Sequence, residues 1–253
     1  MSQLYLFLLL LLHLGNLAYA GFELTKVEGI TYRISRTSPD SLRIIWKDDQ
    51  GASLNTFPKV SAFLSRKNTP PKLLMNGGIF DRNTHPSGLL IQDGTELSPV
   101  NREEGYGNFF LKPNGIFLIN DGKARIISTT EYPLENTVVD QAVQSGPLLL
   151  RKQVIHPKFN KESSSRLHRN GIGIKEDGSV VMAMTDYNSY KFPNLYEFAQ
   201  LFLKLQCNDA LFLDGDISQM ESGAEMKKPS NGFSSIIAVL NKDPRENTQP
   251  NKK

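Results

Sequence analysis

The chain contains, at residues 210–220, the sequence Ala210-Leu211-Phe212-Leu213-Asp214-Gly215-Asp216-Ile217-Ser218-Gln219-Met220. Its first four residues are an apolar run that predicts a buried β-strand. The run stops at an acid, a glycine and a second acid. A strand that opens into a glycine turn presents short polar side chains and free backbone N–H groups to a ligand. We therefore interpret Asp214, Gly215 and Ser218 as site residues; the alternative is that Asp214 and Gly215 only form the turn after a core strand.

Two principal helices are predicted from the spacing of apolar residues. The clearer one follows Asn194, a typical N-cap, and leads directly into residues 210–213. The other begins after Asn55 or Thr56 and ends before Pro70-Pro71. The apolar positions that share a face are Leu195, Phe198, Leu201, Phe202 and Leu205 in the first helix and Phe57, Val60, Phe63 and Leu64 in the second.

Strand patterns dominate the rest of the chain. Apolar and polar residues alternate at 30–34, and a second, mostly apolar strand is predicted at 42–46, after a Ser-Pro-Asp turn. We predict that these two strands pair as a hairpin. Turns that favour antiparallel pairing, because they supply positive φ angles, are predicted at Asp93-Gly94, Asp121-Gly122 and Asp177-Gly178. The prediction is one α+β domain, residues 21–242, with a large, mostly antiparallel sheet and two principal helices.

The N-terminus predicts export. Leu4 to Leu14 is an apolar block, and Ala18 and Ala20 fit a small-x-small cleavage site, so we interpret residues 1–20 as a secretory signal peptide. An uncleaved membrane anchor is the alternative, because no Lys or Arg precedes the block. We expect a periplasmic or secreted protein with no stable membrane insertion after removal of the signal. Residues 243–253 are polar and contain proline, which predicts a disordered tail.

Charge and cysteine content argue against several classes of protein. The formal net charge is +3, from 29 basic and 26 acidic side chains spread along the chain, so nucleic acid is not an expected partner. Cys207 is the single cysteine, which excludes an intrachain disulfide, and we interpret it as a buried packing residue. No His or Cys cluster has zinc spacing, and we expect no metal and no cofactor. A Ca²⁺ or Mg²⁺ ion held by Asp81, Asp214 and Asp216 is the alternative.

Glycine stands beside functional side chains in five segments at predicted strand ends. Glycine allows the backbone to approach a ligand closely, while amide, hydroxyl, guanidinium and carboxylate groups supply hydrogen bonds and charge. Each segment alone is typical of a turn, but together they indicate a site. They are Asn76-Gly77-Gly78-Ile79-Phe80-Asp81, Pro86-Ser87-Gly88, Gln144-Ser145-Gly146-Pro147, Arg166-Leu167-His168-Arg169-Asn170-Gly171 and residues 210–220.

Four of these segments, all but Pro86-Ser87-Gly88, resemble in this order the phosphodiester glycosidase family, and the similarity runs from about Lys72 to Leu240. The segment from Gly107 to Gly115 is most similar to an exported bacterial branch of that family. The resemblance implies hydrolysis of the bond between a sugar anomeric carbon and a phosphodiester oxygen, in an envelope or extracellular glycan. Many family members have glycines where this chain has Asp216 and Ile217, which leaves the identity of the substrate open.

The resemblance also implies roles for individual residues. A phosphate leaving group is a weak base, so stabilising an anion matters more than a strong general acid. Arg169, with Arg166 or His168, would provide this stabilisation. Asp214 is the first choice for the carboxylate that acts at the anomeric carbon as nucleophile or base. Asp186 and Asp81 are the next choices for this carboxylate.

The remaining site residues are expected to hold sugar hydroxyls or phosphate oxygens. They are Asn76, Gly77, Gly78, Ser145, Gly146, Gly215 and Ser218. The expected partner is a sugar phosphodiester or a phosphorylated glycan. The alternative function is a non-catalytic exported protein that binds a phosphorylated glycan in the same pocket.

Overall fold

The computed structural model describes residues 21–241. The predicted signal peptide at 1–20 and the predicted tail at 243–253 lie outside the described residues. Within that range, two α-helices are inserted among short strands. In chain order the elements are β1 (Glu23–Val27), β2 (Ile30–Thr37), β3 (Leu42–Ile45), α1 (Phe57–Arg66), β4 (Pro71–Asn76), β5 (Leu90–Gln92), β6 (Thr95–Ser98), β7 (Gly115–Asn120), β8 (Lys123–Ser128), β9 (Gln141–Ser145), β10 (Leu148–Arg151), β11 (Val154–Ile155), β12 (Asn170–Lys175), β13 (Val180–Thr185), α2 (Leu195–Lys204), β14 (Cys207–Asp214), β15 (Met220–Ser222) and β16 (Ile236–Leu240).

The strands form three sheets. The largest has seven strands in the order β1-β2-β13-β12-β14-β10-β11, the second has four in the order β15-β4-β16-β3, and the third has five in the order β6-β5-β9-β7-β8. Neighbouring strands in all three sheets are antiparallel. Strand β14 lies inside the largest sheet, between β12 and β10. Residues 210–213 of this strand are all buried, which agrees with their continuous apolar sequence.

The predicted Asp-Gly turns connect neighbouring antiparallel strands. Asp93-Gly94 joins β5 to β6 with φ angles of 48° and 78°, and Asp121-Gly122 joins β7 to β8 with 47° and 66°. Positive φ at both central residues is the geometry in which Asp-Gly is favoured over other pairs. At Asp177-Gly178, between β12 and β13, the glycine has a φ of 81°. The turn chemistry of the sequence therefore sets these three connections.

Both predicted helices form. The Asn194 side chain accepts a hydrogen bond from the N–H of Glu197, and the Glu197 carboxylate accepts one from the N–H of Asn194. This capping box satisfies two backbone groups at the start of α2. The apolar face of α2 packs on the seven-stranded sheet, and that of α1, which follows Thr56, packs on the four-stranded sheet.

The predicted hairpin between residues 30–34 and 42–46 is wrong. Strand β2 pairs with β1 and β13 in the seven-stranded sheet, whereas β3 pairs with β16 in the four-stranded sheet. A short 3-10 turn at Pro39–Ser41 carries the chain from one sheet to the other. Alternation of apolar and polar residues predicts which face of a strand is buried, but it does not predict which strand lies beside it.

The main hydrophobic core lies between the three sheets. It includes Ile172 and Leu211 from the seven-stranded sheet, Met75 from the four-stranded sheet and Phe117 from the five-stranded sheet, all fully buried. This architecture confirms the α+β prediction, with mostly antiparallel pairing and two principal helices, and it divides the strands among three sheets. No helix between residues 21 and 241 has the length and apolar character needed to cross a membrane.

Candidate active site

Polar residues from three strands meet where those strands begin or end. Asn76 is the last residue of β4, Asn170 is the first of β12 and Asp214 is the last of β14. Asn170 lies opposite Asp214 in the ladder between β12 and β14. The Nδ2 atom of Asn170 donates to the backbone oxygen of Asn76 at 2.8 Å and to its Oδ1 at 3.0 Å, which joins the seven-stranded sheet to the four-stranded one. The fold therefore gathers these three residues at one place.

The carboxyl group of Asp214 is held partly out of water. Burial raises the pKa of Asp214 to about 6, because a carboxylate loses hydration in the protein interior. The N–H of Gly215, which donates to Asp214 Oδ1 at 2.7 Å, opposes this rise, and the negative charge of Asp216 adds to it. A carboxyl group with this pKa is mostly ionised at neutral pH and can still take up a proton, as a catalytic base or nucleophile requires.

The loop after Asp214 folds back onto Asn76. The N–H and the Oγ of Ser218 both donate to the Gly215 oxygen, at 2.8 and 2.5 Å, which closes a tight turn. The N–H of Gln219 then donates to Asn76 Oδ1 at 2.8 Å, and the N–H of Asn76 donates to the Gln219 oxygen at 3.2 Å. The buried hydroxyl of Ser218 is thus used within the turn that carries Asp214.

Arg169 is a buried cation outside the ion pairs formed within residues 21–241. Only 1% of the residue is exposed. Its Nε and Nη2 donate to the backbone oxygens of Pro193 and Ser165, both at 2.9 Å, whereas Nη1 has no hydrogen-bond partner in the described chain. Burial lowers the pKa of Arg169 to about 10, against the opposing charges of Asp216 and Glu197. The guanidinium is therefore still protonated at neutral pH and incompletely satisfied, which suits an anionic ligand.

The other two basic candidates have different surroundings. Arg166 is exposed and forms a bidentate ion pair with Glu197 at 2.5 and 3.0 Å, so its charge is already neutralised. The ring of His168 lies 4.6 Å from that of Phe192 and 6.3 Å from that of Tyr187. Its Nδ1 atom is buried and has no hydrogen-bond partner in the described part of the chain. His168 therefore retains an unused ring nitrogen, whereas Arg166 stabilises the start of α2.

Close packing explains the glycines predicted at the site. A Cβ atom added at Gly77 would lie 2.3 Å from Ser235 Oγ, and one added at Gly78 would lie 2.7 Å from the backbone oxygen of Gln144. At Gly146, an added Cβ atom would meet a neighbouring Cβ atom at 2.5 Å. A side chain at any of these three positions would force its neighbour to shift. The glycines therefore allow the loop after β4 to lie directly against β9 and β16.

Ser145 joins that loop to the strand of Asp214. Its buried Oγ donates to the backbone oxygen of Leu213 at 2.8 Å and accepts a hydrogen bond from the N–H of Ile79 at 3.3 Å. The hydroxyl therefore both donates to and accepts from backbone groups. Ser145 therefore holds the site together from within the protein.

Asp186 takes part in a buried ion pair. Its carboxylate lies 2.8 Å from the Nε of Arg33, and only 4% of its side chain is exposed. Arg33 also donates to the backbone oxygen of Met220 at 2.6 Å and to Glu221 at 3.1 Å, and its guanidinium lies 4.3 Å from the centre of the Tyr187 ring. Asp186 and Arg33 thus connect the end of β13 to β15, the strand that follows the loop of Asp214.

Asp81 lies in an exposed turn after β4. Its Oδ1 accepts hydrogen bonds from the N–H groups of Asn83 and His85 at 2.8 and 2.9 Å, and its Oδ2 lies 3.6 Å from the His85 ring nitrogen. The backbone hydrogen bond from His85 is the main cause that lowers the pKa of Asp81. These contacts stay within the turn and do not connect Asp81 to Asp214. Within residues 21–241, no group of three or more His, Cys, Asp or Glu side chains is placed to hold a metal ion.

Sequence reasoning missed several residues that shape the site. Asn170 lies in the segment 166–171, and its position at the start of a strand is the local signal for a site residue. Gln219 lies in the segment 210–220. Arg33 and Tyr187 had no local signal, because their partners lie far away in the sequence.

The chain also matches the sequence model of a known protein family. Residues 71–235 match the sequence model of the family described as phosphodiester glycosidase. This match covers well over half of the chain. The chain belongs to the phosphodiester glycosidase family, and it is thereby related to enzymes of that kind.

Individual relatives agree with this assignment. The Escherichia coli (strain K12) protein described as uncharacterized protein YigE is 32% identical over 182 residues, which are 72% of this chain and 69% of that protein. The catalytic domain of zebrafish N-acetylglucosamine-1-phosphodiester alpha-N-acetylglucosaminidase, auto-inhibited by its pro-peptide, superposes with a TM-score of 0.63 at 14% identity, over 87% of this chain and 82% of that one.

Two bacterial structures share the fold as well. A hypothetical protein from Synechocystis has a TM-score of 0.53 at 13% identity, over 87% of this chain and 61% of its own. A putative exported protein from Burkholderia pseudomallei K96243 has a TM-score of 0.53 at 11% identity, over 84% of this chain and 74% of its own. At these identities the three structures support the fold alone.

Proposed function

We propose that the protein is a hydrolase that cleaves the bond between a sugar anomeric carbon and a phosphodiester oxygen in an envelope or extracellular glycan. The observation that carries the proposal is the combination of a partly buried carboxyl group, whose pKa is raised, with a buried guanidinium that no carboxylate neutralises. Asp214 and Arg169 are these two groups, and the charge of Asp216 acts on both. Membership of the phosphodiester glycosidase family supports the same reaction class.

The reaction needs little beyond these groups. Water supplies the new hydroxyl of the sugar, the bond from the anomeric carbon to the phosphate oxygen breaks, and the phosphate leaves with the electron pair as a monoester. Asp214 either takes the proton of the attacking water or attacks the carbon itself, and in both cases it must be ionised. Arg169 Nη1 is the donor assigned to the phosphate oxygens, and His168 Nδ1 joins it when this nitrogen carries the proton; neither atom has a hydrogen-bond partner within residues 21–241. A strong general acid is unnecessary because phosphate is a weak base.

Export completes the proposal. Cleavage after Ala20 would release a chain that starts at Gly21 into the periplasm or the medium. This step is tested by measuring the intact mass of the protein recovered from an exporting host, which should be the mass of a chain that starts at Gly21. A protein that retains residues 1–20 in the membrane fraction contradicts it.

The test of the activity is hydrolysis of methyl N-acetyl-α-glucosaminyl phosphate, a substrate type chosen from the name of the zebrafish structural relative. Simple aryl glycosides and simple phosphodiesters are compared in parallel, and sugar release is followed. Turnover of the sugar phosphodiester alone supports the mechanism, and its rate should rise with pH through about 6 as Asp214 loses its proton.

Two variants identify the residues involved. Asp214→Asn and Arg169→Ala should each lower the rate of sugar release by more than about 100-fold. Asp121→Asn is the matched control, because Asp121 is exposed, has a φ of 47° that asparagine also adopts, and lies in the β7–β8 turn. Full activity in both site variants would refute this assignment of the site.

A second candidate function is binding of a phosphorylated glycan without turnover. Asp216 favours it over hydrolysis, because the negative charge of this exposed carboxylate raises the pKa of Asp214 and so reduces the ionised fraction that catalysis needs. Saturable binding of the same phosphodiester, recovered unchanged after long incubation, would support this function over hydrolysis.

A further inference from the structure

The side-chain amides of Asn76 and Asn170 can adopt only one orientation. The N–H of Gln219 donates to the Asn76 side chain at 2.8 Å, and a backbone N–H can only donate, so the atom facing it is Oδ1. Asn170 faces that Oδ1 at 3.0 Å and the Asn76 backbone oxygen at 2.8 Å. Both of those atoms accept, so the atom facing them is Nδ2. Backbone groups therefore fix both amides.

This orientation leaves one amide nitrogen and one amide oxygen unused. Asn76 Nδ2 and Asn170 Oδ1 are both buried, and neither has a hydrogen-bond partner within the described chain. They belong to two amides that share a hydrogen bond, and Asn170 lies opposite Asp214 in the sheet. Buried polar atoms in folded proteins nearly always have partners, so these two atoms call for a partner from outside the chain, either an ordered water or a group of a ligand.

The chemistry of the missing partner follows from the two atoms. A phosphodiester oxygen only accepts, and it cannot satisfy Asn170 Oδ1. An ammonium group only donates, and it cannot satisfy Asn76 Nδ2. A hydroxyl group does both, because it has one donor and two acceptor lone pairs. A water molecule meets both needs in the free protein, and a single sugar hydroxyl that displaces it meets them in the complex.

We propose that Asn76 and Asn170 together bind one hydroxyl of the sugar, which accepts a hydrogen bond from Asn76 Nδ2 and donates one to Asn170 Oδ1. This inference rests on the proposed function, and it names the part of the substrate that is recognised beside Asp214. The phosphate is then left to Arg169. A site built to bond a hydroxyl strongly rejects the analogue that lacks it, because its own buried groups stay unpaired.

The first experiment uses the wild-type protein and a ligand that cannot be cleaved. The probe is the methyl ester of the α-C-glycosyl phosphonate of N-acetylglucosamine, in which a methylene group replaces the anomeric oxygen. Binding is measured by calorimetry for this probe, for analogues in which each hydroxyl in turn is replaced by hydrogen, and for one in which the N-acetyl group is replaced by hydrogen. One of the deoxy analogues should bind about 100-fold more weakly than the parent, and the others should lose much less.

The second experiment changes only the unused donor. Asn76→Asp keeps an oxygen for the N–H of Gln219 and for Asn170 Nδ2, and it replaces Nδ2 by an oxygen that can only accept when ionised. The variant should bind the parent probe about as weakly as the wild type binds the sensitive analogue, with no further loss on that analogue. Relative to wild type at each pH, its affinity should recover as acid protonates the new carboxyl group. Asn120→Asp, at another buried asparagine, is the control.

Each outcome decides between the two proposals. Turnover of the phosphodiester with equal binding of every deoxy analogue overturns the hydroxyl site and leaves the proposed function intact. A loss confined to replacement of the N-acetyl group assigns the two amides to that group and also overturns the hydroxyl site. The hydroxyl site is also overturned if Asn76→Asp still binds the sensitive deoxy analogue more weakly than the parent probe by the same factor as the wild type does. Absence of both binding and turnover for all sugar phosphodiesters overturns both proposals.

Discussion

Replacing Asp214 by asparagine is expected to stabilise the folded protein at alkaline pH while removing its proposed activity. Burial raises the pKa of this carboxyl group from 3.8 to about 6, so the folded state holds the charged form less well than the unfolded state does. Asparagine has nearly the same shape and no charge. Its side-chain oxygen can still accept the hydrogen bond from the N–H of Gly215, which lies 2.7 Å from Asp214 Oδ1.

The size and the sign of the effect follow from the pKa shift. A rise of roughly two pKa units, at about 1.4 kcal/mol per unit, makes the ionised group cost about 3 kcal/mol of folding free energy. Because the folded pKa of Asp214 is the higher one, this cost is absent below about pH 4 and complete above about pH 6. Asp214→Asn should therefore raise the free energy of unfolding by about 2–3 kcal/mol at pH 8 and by little at pH 4.

Urea denaturation of the wild type and the variant at pH 4 and pH 8 measures both values. For a chain of this size the gain at pH 8 corresponds to a rise in melting temperature of about 5–10 °C. The control Asp121→Asn, at an exposed turn, should change stability little at either pH. An equal gain at both pH values, or a loss of stability at pH 8, would show that desolvation of Asp214 is not the cause of its raised pKa.

Three further predictions concern the support of the site. Arg33→Met should lower the free energy of unfolding by about 3–5 kcal/mol in urea titrations, because the buried carboxylate of Asp186 loses its partner; a change below about 1 kcal/mol would contradict this. Gly78→Ala should lower the free energy of unfolding by about 1–3 kcal/mol in the same assay, because its Cβ atom would lie 2.7 Å from a backbone oxygen. Gly215→Ala should lower it clearly less, because the nearest atom to its Cβ outside the adjoining residues would lie 3.9 Å away. Burial raises the pKa of Cys207 to about 12, so iodoacetamide should label this thiol only when urea unfolds the protein, and rapid labelling of the native protein would contradict its burial.

Local features of the sequence predicted the elements of the fold. Asn194 and the apolar residues that follow it specify α2 within a dozen positions, and Asp93-Gly94 and Asp121-Gly122 specify tight turns through their own φ preferences. The apolar run that ends at Asp214 likewise specified an interior strand, because a continuous apolar run is typical of a strand covered on both faces. In each case the information lies within one turn, one helix face or one strand, so no distant contact was needed.

The sequence did not predict which strands would pair across long distances. The first two predicted strands were expected to form a hairpin, yet β2 pairs with β13 and β3 with β16. Many strands have compatible alternation, and only the packing of all three sheets selects among them. For the same reason the ion pair of Arg33 with Asp186 had no local signal.

The sequence by itself determined which polar residues stand at strand ends, including Asn76, Arg169 and Asp214. Only the tertiary structure decided what the polar residues of the site face: the ion pair that occupies Arg166, the Nη1 of Arg169 that has no hydrogen-bond partner within residues 21–241, and the amide of Asn170 that donates to Asn76. The pKa of Asp214 is likewise a property of the assembled sheets, because the protein that surrounds this carboxyl group excludes the water that would otherwise stabilise its charge.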